Sequence, residues 1–179
     1  MFSDQYLNAC SENSLIVKYW GTVFETFFPH TKDIFIQWGD TISPGCKSKP
    51  LNFRLDLRII VNYGEKVDLC NGEFARKTLT AESKFYYDKE KAVLAAKCFL
   101  NKVITSCITI PSNVIPTIKI PIIQIMGLCC HVYTLSIIDK GLYLLQNLTS
   151  FSYPRTHIEV RKGGIIKMID SLSMIEVST

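Results

Sequence analysis

Apolar and charged residues alternate strictly in the first half of the chain, between residues 53 and 61. The apolar residues stand at every second position: Phe53, Leu55, Leu57, Ile59 and Val61. Charged residues fill the first positions between them: Arg54, Asp56 and Arg58. A period of two is typical of a β-strand that buries one face. Residues 62–65 then have the composition of a turn, and a second strand is predicted from about Val67, which makes a hairpin of residues 52–77.

Two longer segments repeat apolar residues at intervals of three and four, which is the spacing of an amphipathic helix. The first is predicted to begin with Ser11 as its N-cap and to end at Pro29. The second is predicted to run from Thr80, as its N-cap, to about Ser106. Residues 1–10 are polar and are predicted to form a loose lead-in to the first helix.

The apolar stripe of the second helix determines which of its charged residues face inward. Its members are Phe85, Tyr86, Val93, Ala96, Phe99, Leu100, Val103 and Ile104. With this phase, Glu82 and Lys89 fall on the stripe, in the half of the helix nearest Glu73. The other lysines fall on or near the polar side, where a solvated face is expected: Lys91, Lys97 and Lys102.

Proline, glycine and β-branched residues shape the rest of the chain. The predicted elements are a short strand at 33–40, a loop at 41–50, a proline-broken connector at 108–121 and strands at 122–126, 128–138 and 142–153. A final helix is expected after Gly163-Gly164, over about 164–177. The pattern predicts a single domain, residues 1–179, with its core over about 11–154.

The composition fits a globular protein. Apolar residues make up 47% of the 179 positions and charged residues 20%. Residues 120–138 carry no formal charge and are long enough to suggest a membrane-spanning helix. Pro121, Gly127 and several polar side chains interrupt them, so two buried strands broken at Gly127 are predicted instead. No contact with a membrane is expected.

Charge and cysteine usage narrow the choice of partner and compartment. The formal net charge of +4 permits contact with a polyanion without requiring it. The seven cysteines are odd in number and form no C-x-x-C pair, which favours reduced thiols over disulfides. An intracellular protein, nuclear or cytoplasmic, is therefore expected. His131 shares a strand face with Cys129, but a hydrogen-bonded core histidine is favoured over a Cys/His nucleophile pair.

Two acidic residues of the hairpin suggest chemistry. Asp56 is mid-strand, and Glu73 follows Gly72 on the neighbouring strand. Paired strands lie about 4.8 Å apart, so the two carboxylates can converge on one hard cation, which prefers oxygen ligands. Asp68 replaces Glu73 as the partner if the register differs by one residue. The alternative is that the charges of the first strand form a solvated face and that Glu73 merely ends a strand.

The order of helix, strand, hairpin, long helix and further strands resembles the core of the PD-(D/E)XK, or restriction-endonuclease-like, nucleases. In that family an Asp on the second core strand and an acidic-x-Lys motif on the third hold Mg²⁺ and position or activate water. Here Leu55-Asp56 stands at the first position and Glu73-Phe74-Ala75 at the second. The resemblance implies an α/β (mixed α+β) fold with a central mixed β-sheet flanked by helices. It further implies an αβββαβ core with extra C-terminal strands and a helix.

The resemblance also implies roles for individual residues. Asp56 and Glu73 would bind Mg²⁺ or Mn²⁺, with the carbonyl of Phe74 as a third ligand. Ala75 departs from the family motif at its lysine position. Lys77 would replace that lysine if the strand continues so far, and Lys89 would replace it from the long helix.

Two more residues have supporting roles in this interpretation. Arg76 can stabilise a phosphate, but it cannot serve as a base because arginine is permanently charged. Glu12 either adds an outer carboxylate to the site or only complements the dipole of the first helix. If no residue replaces the missing lysine, the site is inactive and no cofactor is implied.

The sequence also resembles an expanded group of proteins from Mucorales-type fungi, over about residues 11–154. The stretches that carry this resemblance are Ser11-Glu12, residues 54–59 (RLDLRI), residues 72–77 (GEFARK), Lys84-Phe85-Tyr86, residues 94–98 and Gly141-Leu142-Tyr143. No function follows from this second resemblance.

The expected function is Mg²⁺-dependent phosphodiester hydrolysis by a nuclease-like domain, and Ala75 is the residue that puts activity in question. The alternative is a catalytically inactive module of the same fold that binds nucleic acid or protein. A third interpretation is an accessory domain derived from a mobile-element protein.

Overall fold

The computed structural model describes residues 3–28, 33–47, 52–63, 65–76, 82–106 and 110–178. Within these ranges a six-stranded mixed β-sheet is flanked by helices, which confirms the predicted fold class. Three residues with predicted roles lie outside the described ranges: Pro29, Lys77 and Thr80.

The strands lie in the sheet in the order in which they occur in the chain. Their bounds are Ile34–Ile42 (β1), Arg54–Tyr63 (β2), Glu65–Ala75 (β3), Ile120–Met126 (β4), Cys129–Asp139 (β5) and Leu142–Ser152 (β6). Neighbouring strands are antiparallel except β3 and β4, which are parallel. A parallel pair requires a long crossover connection, and the long helix between β3 and β4 lies within it.

The helices are Asp4–Ala9 (α1), Glu12–Leu15 (α2), Gly21–Phe27 (α3), Glu82–Ser106 (α4), His157–Arg161 (α5) and Gly164–Ser178 (α6). A π-helical segment, Ile16–Trp20, joins α2 to α3, so the predicted first helix is present. Ser11 caps it as predicted, since its Oγ accepts a hydrogen bond from the Ser14 amide (3.1 Å). The prediction of a loose lead-in is wrong, because Ser3 caps α1 in the same way.

The first face of the sheet is covered by the N-terminal helices and α6. Trp20 and Phe24 are fully buried there, and the indole Nε1 of Trp20 donates a hydrogen bond to the carbonyl of Gly127 (2.8 Å). Phe74 of β3 and Leu172 of α6 belong to the same core. This layer fixes the ends of β3 and β4 relative to the N-terminal helices.

The second face is covered by α4, which lies on the sheet through small residues. Its buried side chains are Asp88, Ala92, Ala95, Ala96, Phe99 and Leu100. Because an alanine side chain is a single methyl group, the helix can approach the strands closely. Leu55, Ile122 and Leu135 of the sheet pack against this segment.

The face of α4 that packs on the sheet is made by different residues from those predicted. Tyr86, placed on the predicted apolar stripe, is 64% exposed, whereas Asp88 and Ala92 are buried. The prediction that Lys91 is solvated is wrong, because its ammonium group is largely covered at the sheet surface. The predicted stripe was drawn through the large aromatic residues at the start of the helix. The contact between α4 and the sheet is instead made mainly by alanines.

Residues 120–138 form β4 and β5, as predicted, with a turn at Gly127 that has a φ of 62°. The final helix begins at Gly164, also as predicted. In the part of the chain that the structure describes, no helix has the length and apolar character needed to cross a membrane.

Candidate active site

Asp56 and Glu73 lie side by side on β2 and β3. Leu57 pairs with Gly72 and Arg58 with Asn71, and continuing this register places Asp56 beside Glu73. The backbone amide of Phe74 donates a hydrogen bond to Asp56 Oδ2 (2.9 Å), which ties the Asp56 carboxylate to the neighbouring strand.

Gly72 explains why the two strands can meet so closely at this point. A Cβ atom at Gly72 would lie 3.1 Å from Cβ of Leu57 and 3.4 Å from Cβ of Ile123. The first face of the sheet is therefore closed at Gly72. Because side chains alternate along a strand, Glu73 points to the second face, toward α4.

Glu73 is buried in an unequal environment. Its side chain is 3% exposed, and Oε2 lies 2.6 Å from Nζ of Lys91. The other oxygen, Oε1, is buried and has no hydrogen-bond partner among the described residues. Lys91 is held in place by a second hydrogen bond, which its Nζ donates to the carbonyl of Arg54 (2.9 Å).

The protonation of Glu73 reflects this environment. Burial raises its pKa to about 9, and the neighbouring Asp56 carboxylate acts in the same direction while Lys91 opposes both. Burial acts to lower the pKa of Lys91, but Glu73 and the other carboxylates outweigh it and leave that pKa raised. Lys91 therefore remains a cation at neutral pH.

Helix α4 contributes two further charged groups to this site. Lys84, Asp88 and Lys91 are spaced by four and three residues, so they lie on one stripe of the helix. Burial raises the pKa of Asp88, Lys84 and Lys91 act to lower it, and Asp56 adds to the rise. Glu12, from the start of α2, pairs with Lys84 at 3.5 Å. Burial raises the pKa of Glu12, opposed by Lys84 and supported by Asp56.

Four carboxylates thus surround two lysines, and the group carries more negative than positive charge when all are ionised. No set of three or more His, Cys, Asp or Glu side chains within the described ranges is arranged to hold a metal ion. The unpartnered Oε1 of Glu73 and the adjacent Asp56 nevertheless supply the hard oxygen donors that Mg²⁺ or Mn²⁺ prefers. Since Mg²⁺ usually keeps several water ligands, two carboxylates fit such an ion.

Gln124 lies beside Glu73 on the other side of β3. The two residues are register partners in the parallel pair of β3 and β4. Gln124 is buried, and its Nε2 donates a hydrogen bond to the carbonyl of Phe85 on α4 (2.9 Å). Its Oε1, like Glu73 Oε1, has no hydrogen-bond partner in the described part of the chain.

Asn71 repeats this arrangement two residues before Glu73. Its Nδ2 donates to the carbonyl of Ala92 on α4 (3.1 Å), and its buried Oδ1 lacks a partner among the described residues. Three acceptor oxygens beneath α4 are therefore unpartnered there: Asn71 Oδ1, Glu73 Oε1 and Gln124 Oε1. A cation or ordered water would satisfy them.

The remaining predicted site residues lie elsewhere. Nζ of Lys89 sits 4.1 Å from the ring centroid of Tyr133, so the lysine found at Glu73 is Lys91. Asp68 pairs with Arg58 at 2.6 Å rather than with Asp56.

Two predicted residues occupy the end of β3. The Phe74 side chain is buried in the first-face core, and only its backbone reaches Asp56. Nη1 of Arg76 donates to the carbonyl of Cys10 (3.5 Å). Lys77 lies outside the described residues.

The sequence reasoning missed three groups: Asp88, Lys91 and Gln124. The first two follow from the phase of α4, and a stripe centred on Ala92, Ala95 and Ala96 would have placed them near the sheet. Gln124 required the pairing of β4 with β3, which no local pattern reveals.

Comparison with known proteins gave no match: no family model, no curated protein and no solved structure is significantly similar to this chain.

Proposed function

We propose that this protein is a metal-dependent phosphodiesterase of the nuclease type, with its reaction centre at Asp56, Glu73 and Lys91. The observation that carries the proposal is the environment of Glu73. One of its oxygens is paired with a lysine at 2.6 Å, and the other is buried, unpartnered among the described residues and adjacent to a second carboxylate. A purely structural ion pair does not require the second carboxylate or the unpartnered oxygen.

Asp56 and Glu73 hold the cation in this proposal, and the carbonyl of Phe74 is available as a third ligand. Mg²⁺ or Mn²⁺, when bound, supplies a water of lowered pKa and neutralises charge on the phosphoryl group. The amide of Phe74 keeps the Asp56 carboxylate directed at its neighbour. The closed first face at Gly72 excludes water from behind the two strands.

Lys91 supplies the ammonium group that Ala75, at the lysine position of the family motif, lacks. Ala75 is buried at the end of β3, and α4 supplies the ammonium group from above the same strand. Two hydrogen bonds fix Nζ, one to Glu73 and one to the carbonyl of Arg54. A cation fixed in this way stabilises negative charge that develops on a phosphate in the transition state.

Asp88 and Glu12 act on the lysines rather than on the substrate. Asp88 lies between Lys84 and Lys91 on the same helix stripe, and Glu12 pairs with Lys84. Asp88 is one of the carboxylates that raise the pKa of Lys91, after Glu73 and Asp56, and Glu12 holds Lys84 at 3.5 Å.

The element order supports the resemblance to PD-(D/E)XK nucleases on which part of the proposal rests. Helix, three antiparallel strands, a crossover helix and a strand parallel to the third follow one another in the described structure. The proposal includes an intracellular location, supported by the free thiols of all the described cysteines.

A second candidate is a non-catalytic module of the same fold that binds nucleic acid or protein. The observation that favours it is Ala75, because a nuclease-like strand without its lysine is what loss of activity would leave. The two functions differ in whether the carboxylates bind a divalent cation.

Calorimetric titration with Mg²⁺ and Mn²⁺ tests the proposal. We expect binding by the wild type and by Asp40→Asn, a matched change at an exposed strand carboxylate. We expect no binding by Asp56→Asn or Glu73→Gln. Absence of binding at millimolar metal would exclude the catalytic proposal and leave the binding module.

Nuclease assays on labelled DNA and RNA then test the role of Lys91. Lys91→Met should bind metal but lose at least about a hundredfold in cleavage rate, by analogy with removal of one transition-state donor. Lys97→Met, a change of the same type at an exposed position of α4, should cleave like the wild type. Equal activity of the two variants would exclude Lys91 from the mechanism.

A further inference from the structure

A row of polar side chains crosses the sheet from the candidate site to its far side. Glu73 pairs with Gln124, Gln124 with His131, and His131 with Ser150. Register partners on neighbouring strands point to the same face, so these side chains form a continuous line. With Asp56 at its inner end, we call this set the polar row: Asp56, Glu73, Gln124, His131 and Ser150.

The outer end of the polar row opens into a cleft of about 680 Å³. The cleft lies where β3 and β4 end, and its walls include His131, Ser150, Arg76 and Tyr153. Nδ1 of His131 and Oγ of Ser150 are 3.0 Å apart, so a hydrogen bond joins the last two members of the row at the cleft wall. The row therefore ends at an accessible concave surface, whereas its inner members Glu73 and Gln124 are buried beneath α4.

Cations predominate on the walls of this cleft: Arg76, Arg155, Lys162 and Lys167. The acidic residues of the walls, Asp4 and Glu159, already have partners. Asp4 pairs with Arg155, and Glu159 accepts hydrogen bonds from the amides of Arg155 and Thr156. Lys162 and Lys167 are exposed, so the cleft presents positive charge to a ligand.

Unpartnered groups at the candidate site and at the cleft have opposite character. At the inner end they are acceptors, the Oε1 atoms of Glu73 and Gln124. At the cleft the unpartnered group is a donor, since Nε of Arg155 is buried and has no acceptor in the described part of the chain. An acceptor site favours a cation and a donor site favours an anion. The donor at the cleft suits the phosphates of a nucleic acid, and the acceptors beside Asp56 suit the metal ion of the proposed function.

The cleft also has an apolar side that suits nucleobases. Leu7, Leu15 and Leu128 line it together with the ring of Tyr153. That ring is held by edge-on contacts with Tyr19 and Trp20, whose centroids lie 5.4 Å and 6.0 Å away. Bases can stack on such a ring only when they are unpaired, because in a duplex they are already stacked on one another.

We propose that the cleft binds single-stranded nucleic acid, with Lys162 and Lys167 contacting its phosphates and Tyr153 stacking on an unpaired base. That the bound strand is the substrate rests on the proposed function. Binding in the cleft does not, because it requires neither metal nor catalysis.

Fluorescence anisotropy with labelled oligo-dT and oligo-U of about ten nucleotides, in the presence of EDTA, tests the binding site. We expect the double variant Lys162→Ala/Lys167→Ala to bind about tenfold more weakly than the wild type. The slope of log affinity against log salt should also fall by about 0.7 for each lysine removed. The control is Lys47→Ala/Lys97→Ala, two exposed lysines that do not line the cleft and should leave both quantities unchanged.

Three results would overturn the proposal: no binding of either oligonucleotide, an equal loss in the control variant, or a duplex of the same sequence binding as tightly as the single strand. Oligo-dT against oligo-U distinguishes DNA from RNA as the source of the strand. Tyr153→Leu, which keeps an apolar side chain but removes the stacking ring, should weaken binding several-fold without changing the salt slope. A change in that slope instead would contradict the role of Tyr153.

The outcomes separate this proposal from the proposed function. Tight metal-free binding that depends on Lys162 and Lys167, without any cleavage when Mn²⁺ is added, upholds the cleft and refutes the phosphodiesterase. Cleavage that the double variant performs as well as the wild type upholds the phosphodiesterase and refutes the cleft.

Discussion

The hairpin of β2 and β3 carries two buried acidic residues, and their surroundings differ sharply. Asp68 accepts hydrogen bonds on both oxygens, from Nε of Arg58 and from Oγ of Ser43, each at 2.6 Å. Arg58 has further partners in Gln37, Thr41 and the carbonyl of Ile42, at 3.3–3.4 Å. This ion pair is 6% exposed on both sides and has its hydrogen bonds made.

Glu73 is buried to the same extent but lacks such a set of partners. Lys91 contacts only one of its two carboxylate oxygens, and the carboxylate of Asp56 lies beside it. Burying a charge is costly unless its hydrogen bonds are made, so the two sites have opposite effects on stability. Burial alone does not distinguish the two carboxylates, and it is the incomplete pairing of Glu73 that makes it the candidate for function.

The largest expected effect comes from breaking the satisfied pair. Arg58→Met should lower the free energy of unfolding by about 3–5 kcal/mol, because it leaves the Asp68 carboxylate buried without its cation. Urea denaturation followed by circular dichroism measures the change. Arg54→Met, which breaks the exposed pair with Asp40, is the control and should cost no more than about 1 kcal/mol. Equal costs in the two variants would mean that Arg58 is not a structural cation.

The unsatisfied site should respond in the opposite direction. In metal-free protein at neutral pH, Glu73→Gln should raise the free energy of unfolding by about 1 kcal/mol, since it removes the cost of burying a carboxyl group whose pKa burial and Asp56 raise to about 9. The amide oxygen can still accept the hydrogen bond from Lys91, so packing is retained. Thermal denaturation in EDTA measures the effect.

Asp68→Asn is the matched control for Glu73→Gln, because both replace one buried carboxylate of the hairpin by its amide. It should destabilise the protein, since Arg58 loses a charged partner. If Glu73→Gln destabilises the metal-free protein as much as Asp68→Asn does, the two sites are alike and the comparison fails.

The parts of this arrangement that follow from local patterns could be predicted from sequence. The alternation in β2 gave the strand, and the short connection to β3 brought Asp56 and Glu73 to neighbouring positions. Six strands and the fold class follow from such patterns. The capping side chain of Ser11 was equally readable, because its signal lies within four residues.

The parts that depend on packing could not be read in the same way. Alanine gives a weak apolar signal, so the inward face of α4 was assigned from Phe85 and Tyr86 and Lys91 was placed in solvent. Gln124 and His131 join the site only through the pairing of β4 with β3 and β5. The register of a parallel pair is set by a crossover helix and not by a turn, and a sequence contains no local record of it.

The smallest expected effect concerns the outer end of the polar row and depends on pH. Burial lowers the pKa of His131, and the nearby Lys89 adds to this shift. Because the folded state then binds a proton less readily than the unfolded state, stability should rise with pH up to about 6.5 and be lost as pH falls below it. His131→Gln, which keeps a hydrogen-bonding group for Ser150, should flatten the dependence of melting temperature on pH between about 5.5 and 7.5, roughly one unit to either side of the ordinary histidine pKa. His157→Gln, on exposed α5, is the matched control.

A steeper dependence in His131→Gln would show that His131 is stabilised as a cation, which would contradict its position beside Lys89. Agreement would instead show that the polar row carries a neutral imidazole at its outer end, a group that can accept a hydrogen bond as well as donate one.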